Sequence, residues 1–139
     1  TSIGLDRLFL AVLNHSYNEE KLQNGETRVV LKIPPFLSPI KAAILPLTKK
    51  DGLPEKAKEI MSSIHLDFNC QYEEKDSIGK RYRRQDAIGT PFCITIDHQT
   101  LNDNTVTIRD RDLMSQERVS IEKIHDLISC KVNIIRFLS

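Results

Sequence analysis

Residues 77–97 read SIGKRYRRQDAIGTPFCITID, and this stretch decides the fold. Asp76 or Ser77 can cap a helix, because short oxygen-bearing side chains accept hydrogen bonds from first-turn amides. Gly89 can end that helix, because glycine readily adopts the left-handed conformation found after helices. The apolar run at residues 91–97 then has the length of a buried strand. The stretch therefore predicts a helix followed by a strand, as in α/β sheets.

The neighbouring segments continue this alternation of strands and helices. Residues 41–47 (KAAILPL) read as a buried strand, and the helix after them has apolar side chains spaced one turn apart. Strands are expected at residues 41–47, 68–72, 91–97, 106–109 and 117–120, and helices at residues 54–65, 76–88 and from 121 onward. A polar loop joins the third and fourth strands as an antiparallel hairpin. We expect an α/β fold with three layers, in which helices flank a mixed, mostly parallel five-stranded sheet.

The first third of the chain differs from the rest. An amphipathic pattern from Leu5 to about Tyr17 predicts an extra N-terminal helix, a polar loop follows, and residues 28–33 are rich in β-branched side chains. Three prolines between residues 34 and 39 indicate an extended connector. We therefore predict a domain boundary that separates residues 1–33 from residues 34–139. The pattern leaves open whether residues 28–33 join the main sheet. The chain starts within an amphipathic pattern without an initiator Met, as expected of a piece of a longer protein.

The composition is that of a globular domain, with 40% hydrophobic and 28% charged residues. Twenty Lys and Arg residues against 19 Asp and Glu residues give a formal net charge of +1, so any nucleic-acid site must be argued from where the charges lie. The three cysteines and four histidines are scattered without a zinc-ligand spacing, and we expect no metal site. An odd number of cysteines favours a reducing compartment. No apolar stretch approaches the roughly 20 residues of a membrane span.

Two charged clusters are candidates for binding. The first holds four cations on little more than one helical turn, Lys80, Arg81, Arg83 and Arg84, around Tyr82, whose ring could stack on an unpaired base. The second is RDRDLMSQER at residues 109–118, where guanidinium forks and carboxylates could contact phosphates or base edges. Each cluster has an alternative interpretation. The first could be a solvated helix face neutralised by acids such as Asp86, and the second could be an internal lattice of salt bridges.

Three stretches resemble a known family. SIGLDRLFLAVL at residues 2–13 resembles motif 3 of class II aminoacyl-tRNA synthetases in its glycyl form. Residues 77–97 and TVTIRDRDLMSQERV at residues 105–119 are similar to the anticodon-binding domain of glycyl-tRNA synthetases of the eukaryotic and archaeal type. Thr1 replaces the usual Pro, and Ala87 replaces the usual Glu, which puts a role for that acid in doubt. The resemblance implies a class IIa anticodon-binding domain at residues 34–139, preceded by the end of a catalytic domain.

The resemblance also implies site residues. Ser2, Gly4 and Arg7 would contact glycine or ATP in the full enzyme. The residues that would contact the tRNA anticodon region are Lys80, Arg81, Arg84, Arg109, Asp110, Arg111 and Arg118. In this family the glycine anticodon ends in two cytidines. The second cluster is chemically suited to reading their amines, and the first to holding phosphates.

The implied activity is that of a glycine–tRNA ligase, which attaches glycine to tRNA(Gly) with ATP and Mg²⁺. No cofactor is expected in this chain, and we expect the chain alone to be inactive because motifs 1 and 2 are absent from it. The full enzyme is expected to be a cytoplasmic homodimer, with mitochondria as an alternative location and a monomer as an alternative state of this chain.

Two alternatives come from relatives of the same fold. One is a non-catalytic accessory subunit of a mitochondrial DNA polymerase, which needs no ATP site. The other is a class IIa synthetase for threonine, proline or histidine. The segments GLDR at residues 4–7 and RDRD at residues 109–112 favour the glycyl family over both.

Overall fold

The structure is a computed structural model that describes residues 4–133. It contains five helices and seven strands in the order α1 (Leu5–Ser16), β1 (Tyr17–Lys21), β2 (Thr27–Leu31), β3 (Ala42–Pro46), α2 (Leu53–Ile64), β4 (Cys70–Tyr72), α3 (Ile78–Ile88), β5 (Phe92–Ile96), α4 (His98–Asp103), β6 (Thr105–Asp110), β7 (Gln116–Ser120) and α5 (Ile121–Val132). The alternation predicted for residues 41–132 is therefore confirmed.

The central sheet has the strand order β4-β3-β5-β6-β7. Strand β3 pairs in parallel with β4 and β5, whereas β6 is antiparallel to both of its neighbours, β5 and β7. Four of the five strands therefore run in one direction, and β6 alone runs against them. The strand directions therefore confirm the predicted mixed, mostly parallel sheet, although only two of its four strand pairings are parallel.

Helices cover both faces of this sheet, which gives the three predicted layers. On one face, α2 and α5 bury their apolar stripes against Ala42, Ile44 and Ile94. On the other face, α3 packs Ile78 and Tyr82 against Ala43, Leu45 and Cys93. All five residues of β3 are buried because a central strand is covered on both sides, which explains its continuous apolar sequence.

Helix α3 begins and ends where the sequence indicates. Ser77 is its N-cap residue by position, although its side chain makes no capping hydrogen bond, and Gly89 is its C-cap residue in the left-handed conformation, with φ +85°. A β-carbon at position 89 would also lie 3.1 Å from the carbonyl oxygen of Leu31. Glycine is therefore required at this position both by the backbone turn and by the close approach of β2.

Two predicted loops contain regular structure instead. Residues 98–103 form α4, which starts from a capping box in which Asp97 accepts from the Thr100 amide and Thr100 accepts from the Asp97 amide. Residues 17–21 form β1, which pairs with β2 through backbone hydrogen bonds despite its charged sequence YNEEK. In both cases hydrogen bonds between nearby residues stabilise regular structure in a segment whose composition is polar.

Strands β1 and β2 form a separate antiparallel hairpin, so residues 28–33 do not join the main sheet. The hairpin instead lies against α3, where Arg28 is completely buried. Helix α1 precedes it and leaves the apolar side chains of Leu5, Leu8, Phe9 and Leu10 exposed in the described part of the chain. The boundary at residues 33 and 34 stays a prediction, but the hairpin packs closely against α3.

Candidate nucleic-acid interface

The first half of α3 presents cations to an open concavity of about 410 Å³. Lys80, Arg83 and Arg84 line it together with Gly79, and Glu26 of the β1–β2 turn contributes the remaining wall. A β-carbon at position 79 would meet no atom within 4 Å, so the helix backbone is itself open here. We call this concavity the cationic groove. Its size and charge suit a phosphate-bearing strand.

A second concavity of about 230 Å³ continues from the cationic groove, because Gly79 and Arg83 line both. Its other lining residues are Tyr82, Arg109, Met114 and Gln116. Helix α3 and the turn between β6 and β7 therefore form one connected surface. An aromatic ring and a guanidinium lie at its floor.

Arg109 is held at this floor by contacts on several sides. Its two terminal nitrogens donate to the Asp86 carboxylate at 2.8 and 3.2 Å, and its guanidinium lies 4.8 Å above the Tyr82 ring. The residue is only 4% exposed. Burial works against its charge, but the hydrogen bonds to Asp86 and the charge of that carboxylate, together with other nearby groups, outweigh burial and raise the pKa of Arg109. Arg109 is thus a rigid, charged part of the surface with little freedom to reach outward.

Asp86 is the shared partner of several guanidiniums. Its side chain is completely buried, and besides Arg109 it accepts from Arg28 at 3.3 Å and lies 3.6 Å from Arg83. One carboxylate therefore faces three cations, of which only Arg28 has a second acidic partner, Glu20 at 3.1 Å, and this leaves an excess of positive charge beneath the surface of α3. Such an excess attracts anions to the exposed edge of Arg83.

Arg81 does not take the position expected of a phosphate-binding residue. It is 2% exposed, and it donates to the carbonyl oxygens of Pro46 at 2.6 Å, Glu73 at 3.2 Å and Leu47 at 3.3 Å. Pro46 is the last residue of β3, and Leu47 and Glu73 directly follow β3 and β4. Burial lowers the pKa of Arg81. Arg81 therefore does not face solvent beside Arg84, contrary to the expectation. Backbone carbonyls at the strand ends require hydrogen-bond donors when they are buried, and the guanidinium of Arg81 supplies them.

The predicted cytosine-reading cluster is occupied by internal bonds. Arg111 is 2% exposed and donates to the carbonyl oxygens of Gly89 and Ile33, both at 2.8 Å. Asp110 accepts from the amides of Asp112 and Leu113 at 2.8 and 3.1 Å, so its carboxylate shapes the turn after β6. The hypothesis that Asp110 and Arg111 read bases directly is therefore not supported by their geometry.

Arg118 is also paired within the protein. It donates to both oxygens of Asp97 at 2.7 and 2.8 Å, and to the hydroxyl of Thr105 at 2.7 Å. The bond from Arg118 lowers the pKa of Asp97 to about 2. The alternative interpretation of residues 109–118 as an internal lattice of salt bridges thus describes Arg109, Arg111 and Arg118.

Lys80 and Arg84 remain exposed, as expected of phosphate contacts. Arg84 pairs with Asp76 at 2.7 Å and with Glu73, whereas Lys80 has no ion pair among residues 4–133. Arg83 was not among the predicted contacts, although it lines both concavities. Its position three residues after Lys80 places both side chains on one helix face, which is the signal that could have found it. RNA contact by Lys80 and Arg84 stays a prediction.

The motif 3 residues are only partly described. Ser2 lies outside the described residues. Gly4 precedes α1, and the exposed Arg7 lies near it, with side-chain carbons 3.7 Å from where a β-carbon on Gly4 would be. Contact with glycine or ATP stays a prediction for all three. Within residues 4–133, no three His, Cys, Asp or Glu residues gather as metal ligands would, and no helix is long and apolar enough to cross a membrane.

Two curated proteins that are similar to this chain are glycine–tRNA ligases. The glycine–tRNA ligase of Clostridium tetani is 56% identical over 131 residues, which is 94% of this chain and 28% of that protein. The glycine–tRNA ligase of Chlorobaculum tepidum is 48% identical over 132 residues, again 28% of its length. The chain thus spans less than a third of these curated relatives. Both are bacterial, so the eukaryotic and archaeal subtype is not confirmed.

The fold itself also has a solved counterpart. The RNA-binding domain of threonyl-tRNA synthetase from Cryptosporidium parvum superposes with a TM-score of 0.66 over 72% of this chain and 25% of that chain, at 23% identity. At that identity the likeness concerns the fold alone. The family model described as "Anticodon binding domain" matches residues 41–131, which cover the five-stranded sheet and nearly all of its helices. This chain belongs to the anticodon-binding domain family.

Proposed function

We propose that this chain binds the anticodon loop of tRNA(Gly) as part of a glycine–tRNA ligase. The observation that carries the proposal is the cationic groove, because the exposed Lys80 and Arg84 and the half-buried Arg83 place three cations beside an open helix backbone. The groove lies within a domain of the anticodon-binding family, which supports RNA as the anionic partner. A single-stranded loop can place its backbone in such a groove and leave its bases splayed for reading.

The tRNA identity rests on relatedness. Identities of 48–56% with glycine–tRNA ligases, against 23% with a threonyl-tRNA synthetase, support glycine over threonine. The proposal gives the full protein ATP and Mg²⁺ as cofactors, glycine as a substrate and a homodimeric state in the cytoplasm. Arg7, with Ser2 and Gly4, would contribute to the ATP and glycine site. The chain alone should form no glycyl adenylate, because that reaction needs a complete preorganised site.

A binding experiment tests the proposal. A fluorescently labelled stem-loop with the glycine anticodon is titrated with the full 139-residue chain, and a second stem-loop carries uridines in place of the two anticodon cytidines. We expect the glycine stem-loop to bind more tightly by about 10-fold or more at physiological salt. Equal affinity for the two stem-loops would contradict tRNA(Gly) recognition, and absence of binding would contradict an RNA-binding role.

A further inference from the structure

The β1–β2 hairpin is fixed along α3. Leu31 of β2 lies beside Gly89 at the end of the helix, Arg28 bonds Asp86 one turn earlier, and Glu26 shares the cationic groove with Lys80 and Arg83. Strand and helix therefore run side by side in the same direction. The five steps from Glu26 to Leu31 span roughly 17 Å, and the nine steps from Lys80 to Gly89 span roughly 14 Å. The strand and the helix therefore remain adjacent over this length.

This alignment holds the hairpin turn in a defined place. The turn at residues 22–26 is closed by a bond from the Leu22 amide to the Glu26 carbonyl at 2.8 Å, and the Glu26 amide donates to the Asn24 side chain at 3.1 Å. Arg28, two residues further on, is completely buried and also donates to the Arg111 carbonyl at 2.9 Å. The backbone that carries Glu26 is therefore anchored to the body of the domain.

The side chain of Glu26 forms no polar contact with the rest of the described chain. It is exposed, and its carboxylate makes no hydrogen bond and no ion pair within residues 4–133, although three cations line the same groove. Arg83 and Arg84 pair with other acids, so Glu26 is the carboxylate of the groove wall left available for a ligand. A phosphate would be repelled by it, whereas an amino group would be accepted.

We propose that Glu26 is a specificity-determining residue that accepts a hydrogen bond from the exocyclic amine of a cytosine in the bound loop. The proposal rests on the RNA-binding function proposed above. Lys80 and Arg83 hold the phosphates on the α3 side of the groove, and the base turns toward the hairpin. Uracil carries an oxygen where cytosine carries this amine, so Glu26 selects against uracil. This role replaces the one that sequence reasoning gave to Asp110.

The test compares Glu26→Gln and Glu26→Ala with the unchanged chain on the two stem-loops of the previous experiment. Glu122→Gln is the matched control, because Glu122 is an exposed acid on α5, on the opposite face of the sheet. We expect Glu26→Ala to reduce the preference for cytidine by about 5- to 100-fold. Glu26→Gln should recover binding of the uridine stem-loop in particular, because its amide can donate to the uracil oxygen. The control should leave both affinities unchanged.

Three results would overturn the inference. Both Glu26 variants could bind the two stem-loops more tightly by the same factor, which would make Glu26 a general repulsive charge. They could also leave the affinities unchanged. Finally, the unchanged chain could fail to bind either stem-loop, which would remove the proposed function and this inference together. The first two outcomes leave the proposed function standing, so the two failures are distinguishable.

Discussion

Arg28 in β2 and Asp86 in α3 are 58 positions apart, and their completely buried side chains meet at 3.3 Å. This contact joins the hairpin to the helix that carries the exposed cations. It also shows that the hairpin and the anticodon-binding domain share a charged core. Asp86 bonds Arg109 at the same time, so one carboxylate links α3, β2 and β6.

Asp86→Asn should destabilise the protein. The change removes the only carboxylate that is completely buried among residues 4–133, which leaves Arg109 without its acidic partner and Arg28 with Glu20 alone. Loss of one partner from a buried charge pair costs about 3–5 kcal/mol. Urea unfolding followed by circular dichroism measures the change. Asp126→Asn is the control, since the Asp126 side chain is 90% exposed and its loss should change the free energy of unfolding by less than about 1 kcal/mol.

Arg111→Ala separates a structural role from direct base reading. Without its guanidinium the Ile33 carbonyl loses its side-chain donor and the Gly89 carbonyl keeps only the Ser38 hydroxyl, and we expect a loss of about 2–4 kcal/mol in the free energy of unfolding. The ratio of affinities for the two stem-loops should stay the same under conditions in which the variant is folded. An unchanged stability with a lost preference for cytidine would restore Arg111 as a reader of the anticodon.

Acid should weaken the Arg118–Asp97 contact in a defined pH range. Arg118 lowers the pKa of Asp97 to about 2 in the folded state, whereas an unfolded chain has a value near 3.9. The unfolded state binds the proton first, so the stabilisation of about 2 kcal/mol is complete above about pH 4 and is lost as the pH falls through about 2. Urea unfolding between pH 2 and 6 should show this loss, and Asp97→Asn should reduce it.

The helix and strand pattern of the main domain was predictable from local sequence, because stripes such as Ala57, Ile60 and Ile64 and the continuous apolar run of β3 report burial directly. Strand β1 was not predictable from local sequence, because its partner β2 lies beyond a turn and its own residues are mostly polar or charged. The buried positions of Arg81, Arg109 and Arg111 were not predictable either. Their acceptors are Asp86 and backbone carbonyls near the ends of strands and of α3, which are distant in sequence and meet only in the fold.

The three cysteines should differ in reactivity. Burial raises the pKa of Cys93 to about 12 and that of Cys70 to about 11, so neither forms a thiolate near neutral pH. Cys130 is exposed on α5. A thiol reagent at pH 8 should therefore label Cys130 quickly in the folded protein and all three after unfolding, as read by mass spectrometry of peptides. Rapid labelling of Cys93 would mean that the α3 layer opens readily.

Lys80→Ala should weaken binding of both stem-loops by the same factor. Loss of one phosphate contact should also reduce the slope of log affinity against log salt by about 0.7. Lys123→Ala is the matched control, because Lys123 is an exposed lysine on α5. A Lys80→Ala variant whose salt dependence equals that of the unchanged chain would contradict a phosphate contact by Lys80.

The most direct test of the central claim is the position of amide chemical-shift changes when the glycine stem-loop is added to the ¹⁵N-labelled chain. We predict the largest changes at Gly79, Lys80 and Arg83 in α3 and at Glu26 in the hairpin turn, with little change in α2 and α5. Changes confined to α2 and α5, or to the exposed apolar residues of α1, would show that RNA binds elsewhere and that the cationic groove is not the interface.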